Sequence, residues 1–221
     1  MKKNKNVTID FYHDVICAWC YVISPRLRKL MKEDSTIQVN HHSFALFPSE
    51  KTIIHRYGSK EEGKRQIMDH WRHAATRLDY GNQKIDTDLM ESRSFDYPYS
   101  MPGLIASKAA EIQAGTTMHW NFFDAIQNAF FVEGKDINAE ETHLKIAQKL
   151  NLDIEQFKRD IHSEETLKSV KSDIAQANRL GVHSVPTIVV NGTHKISGAQ
   201  SYNELKQSIE QIVELERSNN G

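Results

Sequence analysis

Cysteine is scarce in this chain: among 221 residues there are two, Cys17 and Cys20. A structural zinc site usually takes four ligands from two such pairs, or from a pair plus two nearby histidines. No second pair exists, and the 11 histidines are scattered along the sequence. His41 and His42 are adjacent in a predicted strand and so point to opposite faces. No metal site is therefore expected. Long apolar runs are missing too, and no segment approaches the ~20 residues of a membrane-spanning helix. The opening MKKNKNVTIDFYHD is basic, yet no apolar stretch of signal-peptide length follows it. Taken as the native start, it predicts a cytosolic protein, in which a permanent structural disulfide would be unusual. Charge of one sign is not in excess: the net charge is -1 with histidine neutral, and the two signs are interspersed. That argues against the basic stripe that nucleic-acid binding requires. There is no glycine-rich phosphate loop, so no nucleotide site is expected, and no internal repeat or low-complexity tract.

What is present is ordinary globular material, 39% apolar and 26% charged. VTIDFY (7–12) reads as a short buried strand ending at a His13-Asp14 loop, with His13 facing solvent and Asp14 in a turn or capping role. Tyr21, Leu27, Leu30 and Met31 predict a helix from Cys17 to about Lys32, in which Pro25 should introduce a kink or remove one backbone bond. TIQVNHHSF (36–44) alternates like a strand, completing a β-α-β opening. From Ser59 to about Leu180 the chain reads as almost wholly helical. Ser59 with Glu62 and Asn138 with Glu141 look like capping boxes, and Ile67, Trp71, Ala74, Ala75 and Leu78 share one face. Pro102 is expected to open a helix that closes at Gly115. A second, from Met118 to Val132, buries Phe122, Phe123, Ile126, Ala129 and Phe130. Asp153 caps a short helix, and Ser163 precedes a long one stopped by Gly181. PTIVV (186–190) and HKIS (194–197) flank Asn191-Gly192, a two-residue hairpin signal. Ser201 and Glu204 cap a last helix carrying Leu205, Ile209, Ile212 and Leu215. The predicted fold class is α/β: a β-α-β … β-β-α sheet domain formed by 1–48 and 166–221, with a large all-helical insertion at 49–165.

The chemistry sits in DVICAWCY. A C-x-x-C pair beside a β-α-β pattern is a redox signature. A cysteine at a helix N-terminus faces unsatisfied N–H groups and the positive end of the helix dipole, and both stabilise a thiolate. The i, i+3 spacing brings the second sulfur within bonding reach of the first. Cys17 is thus expected to be exposed and nucleophilic. Cys20, deeper, would attack the mixed disulfide that Cys17 forms. Trp19 between them is a candidate apolar contact for substrate, with packing against the insertion as the equal alternative. His13, if protonated, would favour the Cys17 thiolate.

DVICAWCY, AFFVEGKDI (129–137) and GVHSVPTIVVNGTHKISGAQS (181–201) together make the chain resemble the thioredoxin superfamily. The resemblance is closest to its DsbA-like, FrnE-type branch, related to hydroxychromene carboxylate isomerase and kappa-class glutathione transferase. It implies a thioredoxin fold, a cis Val185-Pro186 bond beside the first cysteine, and backbone pairing of Val185 and Pro186 with an extended substrate. It implies protein or small-molecule thiols and disulfides as partners and no bound cofactor, with glutathione as a possible co-substrate. Members of the branch commonly read C-P-W-C, where Ala18 stands in this sequence. The dipeptide also lacks the histidine of classical DsbA, so a weaker oxidant is expected. Two other activities remain open at this point. One is glutathione-dependent isomerase or transferase chemistry, which in those relatives uses a serine at the position of Cys17. The other is a non-catalytic adaptor role, with the insertion as docking surface.

Overall fold

A computed structural model of the chain describes residues 6–81 and 83–219. The chain runs β1 (Val7–His13), α1 (Ala18–Glu33), β2 (Ile37–Ser43), α2 (Glu50–Tyr57), α3 (Lys60–Ala75), α4 (Thr87–Glu91), α5 (Ser100–Phe131), α6 (Glu140–Lys149), α7 (Ile154–Ile161), α8 (Glu164–Arg179), β3 (Thr187–Val190), β4 (His194–Ser197) and α9 (Tyr202–Asn219). The strands form one sheet in the order β2-β1-β3-β4. β1 pairs with β2 in parallel, from Val7 opposite Ile37 to His13 opposite Ser43, with α1 as the crossover that parallel pairing demands. β3 runs antiparallel to β1, Ile9 facing Val190, and antiparallel to β4.

Alternation along the strands divides the side chains between two cores. Ile9, Phe11, Ile188 and Val190 face a large core shared with Ile23 and Leu27 of α1, Leu205 and Ile209 of α9, and Phe122 and Phe123 of α5. Tyr12 and Val189 face the other way, onto Ala177 of α8 and Val182. α5 contributes its aromatic side chains to the same apolar cluster as the strands.

Several expectations are met with their local causes visible. Asp153 accepts from the Gln156 N–H at 2.9 Å and Ser163 from the Thr166 N–H at 3.1 Å, each capping its helix. α5 is broken at Ala114–Gly115, where Gly115 takes φ +80°, so the two predicted helices are one interrupted element. Pro25 lies within an unbroken α1 and withholds the N–H that the Tyr21 carbonyl would receive. The Gln83 side chain donates to that carbonyl instead, at 2.7 Å.

Other expectations are corrected. Helix extends N-terminal of Ser59: α2 starts at Glu50, where Ser49 and Thr52 form a reciprocal cap, and stops at Gly58 with φ +88°. α5 starts at Ser100 rather than Pro102. α6 is capped by Ala139, which has no side-chain acceptor, so Asn138 is not the cap. The hairpin loop has three residues, since Val190 pairs with His194 beyond a turn with Asn191 at φ 50° and Gly192 at φ 74°. Leu215 on α9 is exposed; at that turn Glu216 faces the sheet instead, its carboxylate accepting from the Asn191 amide at 2.8 Å. His13 is the last residue of β1 and fully buried, not a solvent-facing loop residue. Its side chain follows Phe11 onto the large-core face.

Candidate active site

Residues 14–17 turn the chain from the end of β1 into α1. Cys17 is the N-cap of α1, with extended backbone at φ -88° and ψ 108°, and its Sγ accepts from the Cys20 N–H at 3.3 Å. This is the capping contact that an oxygen side chain ordinarily makes, with sulfur in the acceptor position. The Cys20 N–H is shared between Cys17 Sγ and the Cys17 carbonyl at 3.0 Å, and the positive end of α1 faces the sulfur. On its other side the Cys17 thiol donates to the Val185 carbonyl at 3.5 Å. The Val185–Pro186 bond is cis. The pair is in the dithiol form, with both thiols free.

The two sulfurs differ in environment. Cys20 is fully enclosed, and burial, followed by the neighbouring Cys17, pushes its thiol well above the ordinary range. Cys17 is expected from the sequence to be exposed, yet it is 5% exposed. The cause is tertiary: the 185–186 loop arrives from far along the chain and lays a carbonyl over the sulfur. Trp19 is partly buried and joins Arg26, Leu78, Asp79, Ala199 and Glu204 in lining an adjacent cleft of about 460 Å³. The buried Arg26 guanidinium holds that cleft's walls together. It pairs with Asp79 at 2.8 Å and donates to the carbonyls of Arg77, Ala199 and Gln200.

Asp14 is the organising residue of the turn. Its carboxylate accepts from the Leu46 N–H at 2.7 Å, the Ser100 hydroxyl at 2.7 Å and the Ile16 N–H at 3.3 Å. Complete burial raises its pKa to about 6, against the opposing pull of these hydrogen bonds. From α5, the Gln127 amide donates towards the carbonyls of Asp14, Val15 and Cys17 at 3.2–3.4 Å, and the Tyr97 hydroxyl donates to that of Ile16 at 3.3 Å. Sequence reasoning missed Gln127, Tyr97 and Ser100. The one available signal was Gln127 itself, an amide set among Phe123, Ile126, Phe130 and Phe131 on an otherwise apolar face.

The histidines scattered along the sequence are not all scattered in space. His13, His41 and His119 converge in the buried core, each offering a ring nitrogen within 4.8 Å of the others. His42, as its strand position requires, points to the opposite face, where it pairs with Asp10 at 3.2 Å and Asp173 at 3.4 Å. Burial opposes its charge, but these two carboxylates prevail and raise its pKa to about 9. Burial and the two neighbouring rings hold the His13 pKa well below the ordinary value, which opposes the imidazolium that would favour the Cys17 thiolate.

The chain is similar to known proteins over most of its length. It is 28% identical to the ClpXP adapter protein SpxH of Bacillus licheniformis over 184 residues, which are 83% of this chain and 57% of that protein. The match thus spans little more than half of that relative's length. Among solved structures, a Nitrosomonas europaea protein whose given name is that of a disulfide isomerase superposes with a TM-score of 0.79 at 20% identity, covering 96% of this chain and 99% of that one. The cytosolic disulfide reductase DsbM of Pseudomonas aeruginosa, also solved with GSH, superposes with a TM-score of 0.69 at 20% identity, covering 96% and 98%. No helix among the described residues is long and apolar enough to cross a membrane. The family model described as Thioredoxin matches residues 11–207, and with the C-x-x-C turn capping α1 below the 185–186 loop, the chain belongs to the thioredoxin family.

Proposed function

We propose that the chain is a cytosolic thiol–disulfide oxidoreductase in which Cys17 is the nucleophile and Cys20 the resolving thiol. The observation that carries this reading is the asymmetric pair: Cys17 Sγ receives a helix N–H at 3.3 Å, while Cys20 lies fully enclosed behind it. A thiolate at Cys17 attacks a substrate disulfide, forming a Cys17–substrate S–S bond and releasing one substrate thiolate. Cys20 then gives up its proton and attacks Cys17 Sγ. The second substrate sulfur leaves as a thiol, and the protein disulfide holds the oxidation. Two electrons pass to the substrate, and two molecules of a small thiol such as glutathione would return them. The reverse sequence oxidises a dithiol.

The closed position of Cys17 fits this cycle. Its contact with Val185 depends on an S–H donor. Ionisation removes that hydrogen and leaves an anion facing a carbonyl oxygen, which favours opening the loop as the nucleophile forms. The carbonyl and N–H of Val185 then become available to an extended substrate, with Trp19 a candidate apolar contact.

Replacing Cys20 with serine tests the assignment. Reduced Cys20→Ser protein mixed with glutathione disulfide should accumulate a glutathione adduct on Cys17, detected by peptide mass spectrometry, while Cys17→Ser protein forms none. Absence of the adduct, with insulin reduction by the unaltered protein no faster than by Cys17→Ser, would overturn the reading. The similarity to SpxH supports a second one, an adaptor that binds a client without exchanging electrons. In that case Cys17→Ser would bind the client as tightly as the unaltered chain.

A further inference from the structure

His13 ends β1, His41 lies in β2 and His119 in the second half of α5, and all three are buried. His13 Nε2 is 3.1 Å from His41 Nδ1 and 3.3 Å from His119 Nε2. His119 Nδ1 is bound to Glu111 Oε2 at 2.6 Å, so its proton is committed to that carboxylate and Nε2 presents a lone pair to the cluster. A single hydrogen then serves both contacts of His13 Nε2, whether it sits there or on His41 Nδ1, so one of the two contacts lacks a donor. His13 Nδ1 and His41 Nε2 have no partner at all. Three imidazoles packed so tightly are poorly served by hydrogen bonds alone.

The same arrangement suits a metal ion. Zinc–nitrogen bonds of about 2.0–2.1 Å in a tetrahedron place neighbouring ligand nitrogens roughly 3.3 Å apart, and two of the three pairs stand at that separation. The outer contacts are those of a metal-bound histidine: a carboxylate fixes the His119 tautomer, and that carboxylate is itself held by Lys108 at 2.8 Å. Lys108 carries a like charge, but it is paired with Asp173 at 2.9 Å as well as with Glu111. Ser43, two residues beyond His41 on the same strand face, has a buried Oγ without a partner. Phe11, Phe123 and Trp120 pack around the rings.

We propose that His13, His41 and His119 form a three-histidine site for a divalent transition-metal ion of the zinc type, distinct from the cysteine pair and clamping the end of β1 and β2 to α5. The site is assembled from three distant parts of the chain, so the ion is taken up as the fold forms.

The test uses the untagged full chain with Cys17→Ser and Cys20→Ser, which removes thiolate ligands. The protein is unfolded in guanidinium with a chelator and refolded with Zn²⁺ or Co²⁺, then desalted. One Zn²⁺ retained per chain, a higher thermal midpoint, and visible Co²⁺ bands of tetrahedral nitrogen–oxygen ligation without a sulfur charge-transfer band are expected. His13→Gln, His41→Gln and His119→Gln should each abolish retention. Glu111→Gln removes no ligand and preserves the core; it should weaken binding about 10–100-fold. Failure of the cysteine-free chain to retain Zn²⁺, retention that survives the histidine substitutions, or unchanged affinity in Glu111→Gln would each overturn the proposal.

Discussion

Two sulfurs three residues apart carry different chemistry because one caps a helix and the other is enclosed. A thiol reacts only as its thiolate, and the Cys20 thiol is pushed well above its ordinary range by burial and by Cys17. Iodoacetamide at pH 7 should therefore label Cys17 of the reduced, folded protein and spare Cys20. Raising the pH to 9 should not recruit Cys20, whereas denaturation exposes both. Equal labelling of the two in the folded chain, read by peptide mass spectrometry, would contradict the assignment. The Ala18-Trp19 dipeptide places no cation between the sulfurs to favour the reduced form. Equilibration with glutathione buffers should therefore yield a potential below the ~-120 mV of classical DsbA; a value that high would count against this account.

Among the elements, α1 shows how a local defect is repaired from a distance. Pro25 leaves the Tyr21 carbonyl without its helical donor, and Gln83 supplies one. Gln83→Ala should destabilise the fold by about 1 kcal/mol, the usual worth of one hydrogen bond. In a Pro25→Ala background the helix regains its own N–H, so the same substitution should cost less than half as much. Urea unfolding of the four proteins measures the coupling, and strict additivity would show that Gln83 does not stand in for the missing helix bond. The proline was readable as a missing bond; its replacement was not, because Gln83 lies 62 residues from Tyr21. α2 was missed for another reason. Its apolar face is narrow, with Ile53 as its one buried residue, so periodicity was weak and only the Ser49/Thr52 cap marked its start.

For the molecule as a whole, the helical region between β2 and β3 and the sheet share one core, and α5 supports the cysteine turn directly. Gly103 of α5 lies so close to that turn that an added Cβ would stand 2.7 Å from Val15 Cγ2 and 3.0 Å from Ile126 Cδ1. Gly103→Ala should cost about 1–3 kcal/mol by overpacking, visible as a lower thermal midpoint. The shared core also predicts cooperative unfolding, with far-ultraviolet circular dichroism and tryptophan fluorescence following one transition. Two separated transitions would mean that the helices and the sheet are energetically independent.

The sequence by itself determined the strand–helix–strand frame, most helix caps, and the C-x-x-C turn, since each rests on residues within a few positions of one another. Periodicity, an N-cap and a three-residue spacing are local quantities. Tertiary structure alone decided that Cys17 is covered, that Gln127 and Tyr97 hold its turn, and that His13 is buried against His41 and His119. These depend on which face of β1 meets α5 and on where the 185–186 loop returns, and such packing joins residues about 100 or more positions apart.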